Sequence, residues 1–328
     1  MFKKIKEFLV RKNSRFNEMY EITKNLNTSI KSPKINLGRI QATLNSQKER
    51  INDLSEVEFQ VFSQFGDDGI IQYLVDKMPI HNRTFIEFGV ENYNESNTRF
   101  LLINNAWSGM VMDGDPQNVQ QIKSGQLYSF YDLRAVQAFI TKENINELIR
   151  SAGFHKQIGI LSVDIDGNDY WVWKAINEIE PQIIICEYNS LFGFEDPITI
   201  PYQANFVRGK VSPLNFYGTS LKAACMLAKE QGYFFIGCNS AGNNAYFISE
   251  KLRSVCPVAE KTPEEGYNFA MFSEAWDANR EPKRGRDKIK SIDGREVVDV
   301  VTMQTRKLDA DAIIASLLRA NKFRGIHG

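Results

Sequence analysis

With 328 residues, 43% of them hydrophobic and 12% aromatic, the chain can bury a sizeable core. That excludes bulk disorder and leaves room for one large α/β domain with additions or for two smaller domains. Formal net charge is zero, yet residues 1–50 hold 12 Lys/Arg against 4 Asp/Glu, so a basic arm precedes a body of net −8, which argues against a dedicated nucleic-acid binder.

Residues 1–55 read as a basic, mainly helical N-terminal extension, with polar linkers such as NLNTSIKSPKIN (25–36). Its opening, MFKKIKEFLVRK, has a short apolar core and no small-residue cleavage site, so no secretory signal is expected. No apolar run in the chain approaches the roughly 18 residues of a membrane span. The arm's charge suits peripheral contact with an anionic membrane or an acidic partner, or simply a solvated helix.

A regular alternation then begins. GDDGIIQYLVDKM predicts a helix with Ile70, Ile71, Leu74, Val75 and Met78 on one face and Asp67 and Asp68 at its positive end. TFIEFG (84–89) is a short apolar strand, followed by helix SNTRFLLINNA with Ser96 as its cap. GMVMDGD (109–115) and LYSFY (127–131) are the next strands. ITKENINELIRSAG is a helix closing on Gly153. Strand IGILSVD (158–164), helix WVWKAINEI and strand QIIICEY (182–188) form a strand–helix–strand unit. These apolar, β-branched strands call for cover on both faces, hence a mainly parallel sheet.

Beyond a proline-bearing loop (191–217), TSLKAACMLAKEQG is helical, and YFFIGCNSAGNNAYFIS reads as an antiparallel hairpin. Residues 259–328 end in helix DADAIIASLLRANK, expected to pack on the body or on another subunit, which makes a homo-oligomer the expected state. Cys186, Cys225, Cys238 and Cys256 show no CxxC spacing, so free thiols in a reducing cytoplasm are expected. The three histidines have no ligand-like neighbours, which disfavours a His triad or zinc site.

Ligands of open α/β sheets bind outside the carboxyl ends of the strands. Here those ends carry acids and amides in succession: Glu87-Phe88-Gly89 with Glu91 and Asn92, Asp113-Gly114-Asp115, Asp132, Asp164 with Asp166, and Glu187 with Asn189. A glycine after the first strand lets backbone approach a ligand, and an acid 24 residues further on can accept hydrogen bonds from a ribose diol. Helix capping and surface ion pairing are the competing roles for Glu87 and Asp113. Asp169, at a helix start, reads as a cap.

The order FIEFG, MVMDGDP, LSVDIDGND, IIICEYN, then helix and hairpin, resembles a class I S-adenosylmethionine-dependent methyltransferase over about residues 60–250. More narrowly it is similar to FkbM-type methyltransferases associated with bacterial surface polysaccharides. Asp164, Asp166, Gly167, Asn168 and Asp169 fall on that family's D-x-E-G-A-E run, and SQFGDDGI (63–70) resembles its SQxGEDGI box. The chain departs from the usual acid-GxGxG first motif, keeping Glu87 and Gly89 in EFGVENY but not the later glycines.

The resemblance implies a Rossmann-like methyltransferase sheet over 56–258, flanked by the 1–55 extension and a 259–328 extension. It implies that Glu87, Gly89 and Asn97 line the methionine side of S-adenosylmethionine, Asp113 takes the ribose hydroxyls and Asp132 lies near the adenine. Asp164 and Asp166 would face the methyl group. The chemistry would be O-methylation of a sugar hydroxyl on a surface-glycan precursor, through a carboxylate base or through Mg²⁺ held by Asp166, Glu187 and Asn189. Tyr202, Arg208 and Tyr217, in the 191–217 loop, are the candidate acceptor contacts.

Other readings of the same residues remain. VDIDGN resembles the DxDG of haloacid-dehalogenase phosphatases, though it follows the fourth strand and lacks the usual Thr. Asp164-x-Asp166 resembles the metal–nucleotide-sugar motif of GT-A glycosyltransferases. Tyr170-x-x-x-Lys174 matches short-chain dehydrogenases, without their glycine-rich fingerprint. The lost glycines also suit a non-catalytic, sugar-nucleotide-binding protein of methyltransferase fold.

Overall fold

The computed structural model describes residues 33–211, 213–270, 272 and 281–323. The first part of the basic arm, residues 1–32, lies outside the described residues. Helix α1 covers residues 33–46, so the stretch read as linker is helical from residue 33. It packs Ala42 and Asn45 inward, and the Asn45 amide donates to the Val57 carbonyl at 2.7 Å.

Next come α2 (Asp67–Lys77), β1 (Thr84–Phe88), α3 (Arg99–Asn105), β2 (Ser108–Asp113), α4 (Pro116–Ser124), α5 (Gln126–Phe130) and β3 (Leu133–Gln137). They are followed by α6 (Ile145–Ser151), β4 (Lys156–Val163), α7 (Asp169–Ala175), β5 (Ile179–Glu187) and β6 (Ile198–Thr199). The remainder is α8 (Leu221–Glu230), β7 (Tyr233–Cys238), β8 (Asn244–Ser249), α9 (Pro263–Gly266), α10 (Arg286–Lys290), β9 (Glu296–Asp299), β10 (Thr305–Lys307) and α11 (Ala310–Arg319).

Seven strands form one sheet in the order β3-β2-β1-β4-β5-β8-β7. The first five are parallel, and β8 and β7 close the sheet as an antiparallel hairpin. This is the expected Rossmann-like α/β sheet. Successive side chains of a strand point to opposite faces, so β1 sends Ile86 and Phe88 into one apolar layer and Phe85 into the other. Helices α6, α7, α8 and α11 cover the first face, while α2, α3 and α4 cover the second. A second sheet, β10-β9-β6, and the C-terminal residues Tyr267, Ile289, Leu308 and Leu317 extend the first layer. The sequence showed no sign of this sheet, whose strands are two to four residues long.

Two sequence expectations need correction. LYSFY is not a strand: residues 126–130 are α5, and Phe130 is 77% exposed. The third strand is Leu133–Gln137, an edge strand of which only Leu133 and Ala135 are buried. Half its residues face solvent, so its composition reads as loop. Nor does Ser96 cap α3, which begins at Arg99. The amides of Asn97 and Thr98 donate to the Glu87 carboxylate instead.

The order 3-2-1-4-5 reverses direction between β1 and β4. Doubly wound sheets open a crevice at such a switch point, outside the strands' carboxyl ends. Gly89 leaves β1 and Asp164 leaves β4 at that point.

Candidate active site

A cleft lies along this carboxyl edge, as two adjoining cavities of about 330 and 230 Å³. Gly89, Glu91, Asp164, Asp166 and Arg208 line both. The larger runs past Asp113, Phe139, Ile140 and Phe206, and the smaller past Glu87, Asn97, Glu187 and Asn244. Four of the five expected acidic strand ends therefore converge.

The loop after β1 answers what the missing glycines mean. Gly89, Glu91 and Tyr93 have φ of 67°, 47° and 61°, left-handed at each alternate position where the usual motif carries glycine. The backbone keeps the shape of a glycine loop, and two side chains bear the strain. Neighbours hold it in place. The Gly89 amide donates to the Met112 carbonyl at 2.9 Å, and the Glu91 amide to Asp113 Oδ2 at 2.7 Å. Tyr93 is buried, its hydroxyl 3.0 Å from Thr98 Oγ1. Arg99, stacked 4.6 Å from the Phe62 ring, donates to the Tyr93 carbonyl.

Glu87 is buried, and both its oxygens are engaged: one accepts from the Asn97 amide at 2.7 Å, the other from the amide and hydroxyl of Thr98. Burial pushes its pKa up to about 7 despite those bonds. It thereby fixes Asn97, whose amide donates to Ser162 Oγ at 3.1 Å. Asp113 likewise organises its surroundings, accepting from the amides of Glu91 and Asp115 and from the Asn118 side chain, while its carboxylate lines the larger cavity.

Asp164, Asp166 and Glu187 form the acidic corner, each offering an oxygen within 4.8 Å of the others. Burial pushes Asp164 and Glu187 well above the usual carboxyl range, and their neighbouring carboxylates add to it. Tyr217 donates to Glu187 Oε1 at 3.3 Å, whereas Glu187 Oε2 is buried with no donor among the described residues. Asp166, with a left-handed φ of 55°, pairs with Arg208, whose guanidinium stacks 3.7 Å from the Tyr217 ring. Asp169 does not cap α7 but ties the preceding loop, accepting from the amides of Ile165 and Gly167 at 2.7 and 2.8 Å. Burial raises its pKa to about 6.

Four expected site residues line neither cleft cavity, among them Tyr217, which is buried and lines a separate small cavity with Asn189. Asp132 precedes β3, because the strand lies later than expected, and it lines a separate cavity at the sheet's amino edge with Arg134 and His155. Asn189 is consumed structurally: its amide donates to the carbonyls of Asn215 and Tyr217, and its oxygen accepts from the Leu191 amide. Asp164 takes its place in the carboxylate trio. Tyr202 lines neither cleft cavity, since its hydroxyl meets Glu143 and its ring lies 4.1 Å from the Lys142 ammonium. Sequence reasoning missed Phe139 and gave Glu91 no role. Glu91 was visible beside the first strand, but Phe139 could be found only from the true position of β3.

The chain matches no family model and no curated protein. Among solved structures it is similar to the N-terminal domain of EvdMO1 with SAH bound, at 10% identity and a TM-score of 0.37, over 64% of this chain and 94% of that one. It is also similar to an S-adenosylmethionine-dependent methyltransferase from Clostridium acetobutylicum, at 11% identity and a TM-score of 0.37, over 56% and 90%. A third is the O-methyltransferase from Bacillus cereus in complex with SAH, at 11% identity and a TM-score of 0.31, over 51% and 72%. At such identities the chemistry must be read from the residues of the cleft.

Proposed function

We propose that the protein is an S-adenosylmethionine-dependent O-methyltransferase of the FkbM type, acting on a sugar hydroxyl of a surface-glycan precursor in the cytoplasm. One observation carries the enzymatic reading: a single cleft at the β1/β4 switch point joins a glycine-loop backbone and the β2 acid, Asp113, to a carboxylate trio that runs from exposed Asp166 to buried Glu187. The acceptor class rests on the sequence resemblance, and four free thiols support a reducing compartment. Residues 56–258 would form the catalytic domain, with 191–217 as its acceptor loop.

S-adenosylmethionine, when bound, supplies a methyl group activated on a sulfonium. Asp113 is suited to accept from ribose hydroxyls, with Phe139 beside it as an apolar surface for the base. The methyl transfer is a displacement, so holding the acceptor oxygen in line supplies much of the rate. Asp164 and Glu187, raised in pKa and sharing the cleft, are suited to take the acceptor's proton, because a more basic carboxylate is a better general base. The trio also fits a divalent cation: its ligands are hard oxygens, and Glu187 Oε2 is buried with no donor among the described residues. Such an ion would lower the acceptor hydroxyl's pKa. Arg208 lines both cavities and is the remaining acceptor contact, while buried Tyr217 supports Glu187 and Arg208.

The test is calorimetric titration with S-adenosylhomocysteine, with and without Mg²⁺, repeated on Asp113→Ala. Micromolar binding that the substitution abolishes supports the reading. Absence of binding under both conditions refutes it and turns attention to nucleotide sugars with Mn²⁺.

A further inference from the structure

We propose that the outer face of α1 docks the protein on an anionic lipid surface. The helix has two apolar faces. One holds it to the body: Gly38 lies so close to Val61 and Phe100 that a Cβ there would meet them at 2.5 and 3.1 Å, and Ala42 and Asn45 are buried beside it. The other consists of Leu37, Ile40 and Leu44, which are 66%, 58% and 51% exposed. Their spacing of three and four residues places them on one stripe. Single exposed leucines are ordinary, but large apolar side chains in register along one face mark a surface that is covered in use.

Charge identifies the occupant. Residues 1–32, which lead into α1, hold 8 Lys/Arg against 3 Asp/Glu, and Lys34 and Arg39 continue the excess on the helix itself. An apolar stripe flanked by cations is the pattern of a helix lying in the headgroup region of an anionic bilayer. A second copy of the chain on this face would set Lys34 and Arg39 of one α1 against the same cations of the other, which opposes it as the partner.

The placement has a consequence for the cleft. Lys34 favours the charge of Glu95, although burial and Glu91 push that carboxyl's pKa up more strongly, and Glu95 lines the smaller cavity. Docking through this end of α1 would set the Glu95 side of the smaller cavity toward the lipid surface, where a lipid-linked acceptor would be presented. That last step rests on the methyltransferase reading, whereas the docking itself does not.

The test is co-sedimentation of the full chain with vesicles of phosphatidylcholine, alone or mixed equally with phosphatidylglycerol. Binding is expected on the anionic vesicles only, and to weaken as salt is raised. L37S/I40S/L44S, changed at exposed positions, is expected to lower vesicle affinity by about tenfold or more. K3E/K4E/K6E should do the same through charge. Both variants should bind S-adenosylhomocysteine like the parent, which separates this proposal from the cofactor reading. Equal binding to neutral vesicles, or unchanged vesicle binding by the triple serine variant, would overturn it. So would a serine variant that alters oligomeric state while vesicle binding persists, since a second copy would then own the face.

Discussion

Gly89 and Asp164 meet through their backbones: a Cβ at position 89 would lie 1.8 Å from the Asp164 carbonyl oxygen. Gly89 also has φ of 67°, so a side chain is opposed by both conformation and space. Gly89→Ala is expected to destabilise the fold by roughly 3 kcal/mol, since the β1 and β4 ends would have to separate. Urea denaturation checks this, and a change below the ordinary scatter of surface substitutions would contradict the close approach.

Glu91 and Tyr93 share the left-handed conformation but not its consequences. Glu91→Gly relieves strain at a partly exposed site and is expected to be neutral or to stabilise by ~1 kcal/mol. Tyr93→Gly relieves the same strain but empties a buried ring site, and a loss of ~3 kcal/mol or more is expected. Matched denaturation curves should move the two midpoints in opposite directions or leave the first unchanged.

Proton linkage through the buried acids has a definite sign. Glu87 is raised from 4.5 to about 7, and Asp68 and Asp169 from 3.8 to about 6. Raised pKa values mean that the folded state binds protons more tightly, so this contribution is complete below the unfolded pKa and is lost as pH rises through the folded one. Between about pH 4.5 and 7 the Glu87 contribution should fall by at most ~3 kcal/mol. Glu87→Gln should flatten that slope in unfolding free energy, at the cost of an acceptor for Asn97 or Thr98. An unchanged slope would remove Glu87 as its source.

The Asp164 and Glu187 carboxyls are expected to matter to chemistry more than to cofactor affinity. Asp164→Asn and Glu187→Gln should each lower kcat by ~10²-fold or more while S-adenosylhomocysteine affinity changes little. The double variant should cost less than the product of the single effects, because the two carboxyls act together. A loss confined to KM would assign them to binding.

Arg208 competes with any cation for Asp166. Arg208→Gln frees that carboxylate, so Mn²⁺ binding, read by electron paramagnetic resonance, is expected to tighten by about tenfold. Asp166→Asn should weaken it. If Arg208→Gln leaves Mn²⁺ affinity unaltered, the trio is a proton-holding cluster and not a metal site.

Hydrophobic periodicity by itself determined four of the five parallel strands, the hairpin and most of the helices, because buried strands and amphipathic helices write their packing into local sequence. The sequence also located four of the five acidic strand ends. Only the tertiary structure decided what those acids face. Asp132 was misplaced because an edge strand buries alternate residues and hides in its composition. Asn189 was misassigned because its partners, Asn215 and Tyr217, lie in a distant loop. The altered first motif could not be judged from residue types, since φ at Glu91 and Tyr93 is imposed by Asp113, Thr98 and Arg99 from outside the loop. Local patterns carry information about burial, whereas hydrogen-bond partners and strain are settled by contacts between segments far apart in the chain.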